Sequence, residues 1–456
     1  MNAKSAAQYE RMTRTPVPRL IITLAIPTII TMLVTNIYNL VDTAFVGQLG
    51  TSASGAVGVV FGHMVILQSI GFMFGQGGGS IVSRELGAKE PEKASRTAST
   101  SFFCSLFIGF LLAALSYLII DPLIDFLGST PTIAPYARIY ITYILLSAPF
   151  STAGFTLNNI LRYEGKAAFG MIGMMAGGIL NMIGDPIFMF AMKMGIAGAG
   201  LSTCLSQIIS FLILLSMFLR GKTTTQLSIR HFMLSARAIG NICATGLPSL
   251  LRQGLTSIAT IILNWEARSY GDEAVAAMSI VSRVSFFIFA FALGMGQGFQ
   301  PVSGFNYGAG KYSRVRSAFR FTLILSESLM SVVLLLVVIF SGNVIGIFRD
   351  DPRVIEIGTR ALRLQCASLL FLPPTMLTEM LLQSTGQKVG ASLLSALRSG
   401  VFFIPLILIL AAVRGLYGIQ EAQPLAYVLA FFPSIGFAAW MLGRKMPRED
   451  QFPAAN

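Results

Sequence analysis

Twelve apolar stretches, each long enough to cross a bilayer as a tilted helix, dominate the chain. They cover about 20–45, 55–82, 98–120, 134–161, 168–190, 197–219, 239–266, 275–301, 319–341, 355–382, 391–413 and 424–442. Polar or Gly- and Pro-bearing turns separate them. Only 12% of the 456 residues are charged, against about 25% in a soluble globular chain. Mean hydropathy is +0.71. The chain therefore reads as an all-α membrane protein with twelve transmembrane helices. Its first 19 residues are polar and basic and hold no apolar core before a cleavage site, so no cleavable signal is expected and the first span serves as its own insertion signal.

The net charge of +13 raises the question of a nucleic-acid partner, and its distribution answers it. With twelve spans, 23 of the 33 Lys and Arg fall on the side of the termini and 8 on the other side. The first set includes Lys388 and Arg398, assigned to the inner end of the eleventh span. Arg252 and Arg283 lie within spans. This asymmetry is the positive-inside pattern. It places both termini in the cytoplasm and makes the lipid bilayer, rather than nucleic acid, the partner. Cys104, Cys204, Cys243 and Cys366 sit in apolar segments without CxxC spacing, as small core residues do.

The chain also repeats itself. Pro27 and Pro248, Gly50 and Gly271, and the GQG of 75–77 and of 296–298 share one offset in numbering, 221. Gly87-Ala88 and Gly308-Ala309, Pro131 and Pro352, and Gly165 and Gly386 keep the same register. The longest internal polar interval, 220–237, separates the two copies. Two pseudo-symmetric six-helix lobes follow, 1–219 and 238–456, joined by a cytoplasmic linker. Six spans is an even number, so the repeats are parallel, an arrangement in which transporters place the substrate path between the halves.

Several spans carry polar residues. Thr31, Thr35, Tyr38 and Asp42 are spaced 4, 3 and 4 apart, on one face of the first helix. A carboxylate at such a depth costs about 2.5–3.5 kcal/mol on insertion scales and by default has a partner or a task. Pro27 removes a hydrogen bond from the same helix and predicts a bend. Asn181 precedes Asp185 by one turn, and Pro186 disturbs the helix there. At about 1.5 Å per residue, Asp42, Tyr140, Asn181, Asp185 and Thr203 all reach one level in the outer third of the first lobe. Two carboxylates with Asn and Thr oxygens suit Na⁺, with Asp42, Asn181, Asp185 and Thr203 as ligands. A like-charged, desolvated pair equally suits H⁺. No other cofactor is implied.

These features resemble the multidrug and toxic compound extrusion (MATE) transporters. NLVDTAFVGQLG at 39–50, SRELGAK at 83–89, NNILRYEGK at 158–166 and NMIGDPIF at 181–188 carry the likeness. The resemblance implies a bacterial drug-exporting antiporter of the cytoplasmic membrane, not an enzyme. It implies a monomer that takes small organic, often cationic or amphiphilic compounds. It further implies that Asp42, Tyr140, Asn181, Asp185 and Thr203 form a cation-binding cluster, that Pro27 bends the first helix, and that Tyr38 and Asn158 line the drug cavity. A specific metabolite exporter and a lipid-linked precursor flippase are the alternatives within the same superfamily.

The second repeat departs from the first. Leu263 and Leu406 stand where the first has Asp42 and Asp185, so the acid pair is not duplicated. Arg252, Arg283, Glu327 and Glu379 appear instead. Thr35, Arg252 and Glu379 are assigned to the substrate cavity, and Arg252 with Glu379 reads equally as a buried ion pair holding helices together. The glycines at 71, 75, 77, 78 and 79 lack a following GK[ST] and predict close helix packing, not a phosphate loop. The basic segments after each GQG read as membrane-surface helices. His63 and His231 have no metal spacing and are assigned structural roles.

Overall fold

The computed structural model describes residues 3–349 and 351–451. These are helical, with no strand among them. Every one of the twelve apolar stretches forms helix. Ten helices are long and apolar enough to span a membrane among the described residues. Of the other two stretches, one is the helix Ala236–Arg268, whose Arg237, Asn241, Arg252, Gln253 and Asn264 lower its hydropathy. The other is broken into Pro352–Leu369 and Leu372–Thr385. The break falls just before Pro373 and Pro374, which cannot donate to the preceding turn. The side chain of Asp351 caps the first piece, accepting from the backbone N–H of Arg353 and Val354 at 2.9 and 3.2 Å.

The internal repeat persists in the boundaries of the helices. Thr51–Gly87 returns as Asp272–Gly308, and Pro91–Leu118 as Tyr312–Ile339, in the same register. Gly50 and Gly271 precede the first pair with φ of 115° and 96°, a conformation glycine adopts without steric cost. The short helices Ile120–Phe126 and Ser341–Phe348 keep that register as well.

The segments after the two GQG motifs do not form surface helices. Residues 88–90 and 309–311 are tight turns between long helices, with Lys89 at φ 65° and Gly310 at φ 68°. Of the cationic side chains that suggested a surface face, Lys89 and Lys311 lie in these turns and the others belong to the ends of those long helices. The glycines do pack helices closely. A Cβ at Gly71 would lie 2.8 Å from the Thr152 carbonyl, and one at Gly75 would lie 3.0 Å from Thr156 Cα. The Thr156 hydroxyl donates to the Gly71 carbonyl at 3.2 Å across that approach.

The chain divides into two compact units, and their limits differ from those of the repeats. One comprises residues up to Arg14 together with Ile30–Leu250. The other comprises Thr15–Ile29 and the chain from Leu251 on. The helix Val17–Gly47 is thus shared, with the division falling two residues after Pro27. In the first unit, Gly77 lies against the segment 242–246, where a Cβ would run into the Ile242 carbonyl. Residues 220–235 are tied down in this unit. The buried Glu164 carboxylate accepts from the backbone N–H of Thr224 and Thr225 at 2.8 and 3.1 Å, and from the Thr225 hydroxyl. In the second unit, Val281, Leu362, Leu369 and Ile407 belong to a large apolar core.

Candidate functional site

Four helices of the first unit bring the acidic cluster together. Asp42 comes from Val17–Gly47, Tyr140 from Ala134–Tyr163, Asn181 and Asp185 from Ala167–Pro186, and Thr203 from Ile196–Leu219. All five side chains are buried. Sequence order alone fixes part of this: Asn181 and Asp185 are one helical turn apart, and the Asn181 amide donates to Asp185 Oδ1 at 3.2 Å. Pro186 ends the α-helix, and Ile187–Ala191 continues as a π-helix, the local response to a residue without an N–H.

The Asn181 amide nitrogen has three acceptors within reach. Besides Asp185 they are Ser202 Oγ and Thr203 Oγ1, both at 3.3 Å. An amide has two hydrogens, so its bonds are shared among the three. Ser202 in turn donates to the Asn181 carbonyl at 3.2 Å. This close approach requires Gly184, where a Cβ would fall 2.6 Å from Ser202 Oγ. Tyr140 is hydrogen-bonded to Thr203 and feels both carboxylates. Ser202 was not among the candidates read from the sequence. The signals for it were its place beside Thr203 and the glycine opposite.

The Asp42 and Asp185 carboxyl groups face one another at hydrogen-bonding range. Asp42 Oδ1 and Asp185 Oδ2 are nevertheless buried with no donor from the protein. Two ionised carboxylates only accept and repel each other. A proton shared between them, or a small cation, would supply what both oxygens lack. The donor set around them, two carboxylates with amide and hydroxyl oxygens, is the kind hard monovalent cations take. No group of three or more His, Cys, Asp or Glu suited to a metal ion occurs among the described residues.

The remaining candidates are placed differently. Tyr38 stands at the edge of the cluster, within electrostatic reach of Asp42, and its ring packs on Gly178. The Thr35 hydroxyl donates back to the Thr31 carbonyl at 2.8 Å. Asn158 is half-buried beside Gly170. Arg252 and Glu379 are in the other unit, paired with each other at 2.5 Å and both buried, in the ion-pair reading. Pro27 lies inside a continuous α-helix. Arg398, counted above with the inner set at the end of the eleventh span, is 3% exposed. It occupies the π-helical turn Leu397–Phe402, which sequence periodicity does not reveal. The four cysteines are free.

Membrane-length helices in two sequence repeats, with a buried acid pair inside the first unit, are the make-up of a multi-pass membrane transporter. The MatE family model matches residues 27–187 and 248–411, two matches that begin in the register of the repeat. The chain belongs to the MatE family. It is 27% identical over 409 residues to the multidrug export protein MepA of Staphylococcus haemolyticus, covering 90% of each chain. With the MepA of Staphylococcus aureus strain N315 it shares 28% identity over 408 residues, 89% of this chain and 90% of that one. Among solved structures, it is similar to an outward-facing multidrug resistance MATE transporter, with TM-score 0.88 and 26% identity over 94% of this chain and 98% of that one. A MATE structure in the bent conformation superimposes with TM-score 0.88 and 25% identity over 98% of this chain and 100% of that one.

Proposed function

We propose that this protein exports chemically varied small organic compounds, often cationic or amphiphilic, by alternating access coupled to inward Na⁺ or H⁺. The relatives named as multidrug export proteins support the export half of this reading. The coupling half rests on one observation: two buried carboxylates from different helices face each other, each with an oxygen that no protein donor reaches. Such a pair carries repulsion when empty of cations and loses it on loading, so its two states differ in energy. Asp42 and Asp185 hold the ion, Asn181 and Thr203 complete its oxygen shell, and Tyr140 fixes the Thr203 hydroxyl. Tyr38, Asn158 and Thr35 are assigned to the cargo path, and Pro27 to the bending of the first helix.

The setting is the cytoplasmic membrane of a bacterium, with both termini inside and the chain acting as a monomer. The test is ethidium efflux from cells expressing wild type, Asp42→Asn or Asp185→Asn at matched membrane levels. We expect efflux to fall to that of cells without the protein in both variants. Undiminished efflux in either would remove that carboxylate from coupling.

A further inference from the structure

The second unit contains a cavity that the export reading leaves unused. Its volume is about 50 Å³, several times the space a single water needs. Arg398 lines it, and both terminal nitrogens of its guanidinium, Nη1 and Nη2, are buried without a hydrogen-bond partner. Ser285 Oγ lines the same cavity and is likewise buried without one. The rings of Phe289 and Tyr427 flank the guanidinium at 5.3 and 6.0 Å from their centroids.

The charges around the cavity do not cancel. Glu379 is within electrostatic reach of Arg398, but it is already bonded to Arg252, which repels Arg398 in turn. Two buried cations against one buried anion leave one positive charge over. An uncompensated buried charge is costly, and so are its unmade hydrogen bonds. Aromatic faces offset only part of that cost.

The place of the cavity within the repeat matters as well. Leu263, on its wall, is the repeat partner of Asp42, and Gln423, also on its wall, is the repeat partner of Ser202. Arg398 corresponds in the same register to Gly177, one turn before Asn181. The cavity is therefore the second repeat's counterpart of the acidic cluster, with the sign of its charge inverted.

We propose that this cavity binds one monovalent anionic group, held by Arg398 Nη1 and Nη2 and by Ser285 Oγ. The group is either the carboxylate of a zwitterionic or acidic cargo molecule or a free halide. The cargo assignment rests on the export reading above, whereas anion binding does not.

A matched dye pair separates the two sources. Rhodamine 110 carries a free carboxylate and rhodamine 123 is its methyl ester. Their binding to the purified full chain in nanodiscs is read by fluorescence anisotropy. A bidentate, charge-assisted contact predicts that the acid binds about ten- to a hundredfold more tightly than the ester. Arg398→Gln abolishes that gap and leaves ester binding within about twofold, and Arg398→Lys keeps part of it. In the halide case the acid shows no preference. Chloride, exchanged for bulky isethionate at constant ionic strength, then raises the melting temperature of wild type but not of Arg398→Gln. Wild type with neither acid preference nor chloride-dependent melting overturns the proposal, and this holds even where the variant does not fold. Anion binding that persists in a protein unable to export would refute the export reading and leave this one standing.

Discussion

Gly298 lies against Ala25, where a Cβ on the glycine would fall 2.6 Å from the alanine Cα. The repeat partners of these two residues stand in the same relationship: Gly77 approaches Gly246, with a built Cβ 2.8 Å from the Gly246 nitrogen. Each GQG helix thus receives the entry segment of the other repeat's first helix. The limits of the exchanged segments, Ile29 and Leu250, also correspond in the repeat, and each lies just beyond a proline, Pro27 or Pro248. Both helices that run from one unit into the other have their missing N–H beside the division.

The glycines should not tolerate even one added carbon. Gly298→Ala drives a methyl group into the backbone of a neighbouring helix, and overpacking of this kind costs about 1–3 kcal/mol. Gly436→Ala, where a built Cβ meets nothing within 4 Å, should be neutral or slightly stabilising. Thermal unfolding of the two purified variants side by side checks the contrast. Equal melting temperatures would mean that the close approach at Gly298 relaxes freely.

The buried pair Arg252–Glu379 should be dispensable together and not singly. Glu379→Gln leaves two buried guanidinium groups without an acid, and breaking such a pair costs about 3–5 kcal/mol. Replacing Arg252 and Glu379 together by Met and Leu should recover most of that loss. Unfolding midpoints of the single and double variants measure the coupling, and additive losses would contradict it.

The polar segment 220–235 should behave as a docked strap. Glu164→Ala strands the buried N–H groups of Thr224 and Thr225, and each charge-assisted hydrogen bond lost costs about 1.5–3 kcal/mol. Limited proteolysis should then cut within 222–233 well before it cuts wild type. Identical digestion rates would show that the other ties, such as Met233 N–H to Thr100 Oγ1 at 3.0 Å, suffice alone.

Lys166 beside this strap supplies a pH dependence. Burial pushes its pKa below the usual 10.5, more than the neighbouring Glu164 carboxylate raises it. The folded state therefore releases this proton at lower pH than the unfolded chain does. Between those two values the unfolded chain binds the extra proton, so this residue's contribution makes stability rise with pH. Lys166→Met should flatten the slope in that window. A slope unchanged in the variant would assign it to other groups.

Much of this architecture was legible because it is periodic. One register of Gly and Pro survives in the helix starts themselves, and helical spacing with simple depth counting placed Asp42, Tyr140, Asn181, Asp185 and Thr203 at one level. What was not legible depends on backbone detail or on choice of neighbour. Arg398 falls at the inner end of an expected span, where a cation reads as solvated, and the π-turn that carries it leaves no mark on hydropathy. Ser202 became visible only once Gly184 let its hydroxyl approach Asn181. The exchanged segments 15–29 and 236–250 were hidden for a further reason: an apolar helix face shows that it is buried, not which helix buries it.

The central claim is that the Asp42–Asp185 pair exchanges a small cation for cargo. Its most direct test uses purified protein in proteoliposomes, with Na⁺ or H⁺ gradients imposed in turn and dye flux followed together with the counter-ion. We expect one of the two gradients to drive dye against its own concentration difference in wild type. Asp42→Asn and Asp185→Asn should still bind the dye but lose all acceleration by that gradient. Gradient-driven dye accumulation of wild-type size in either variant would contradict the account.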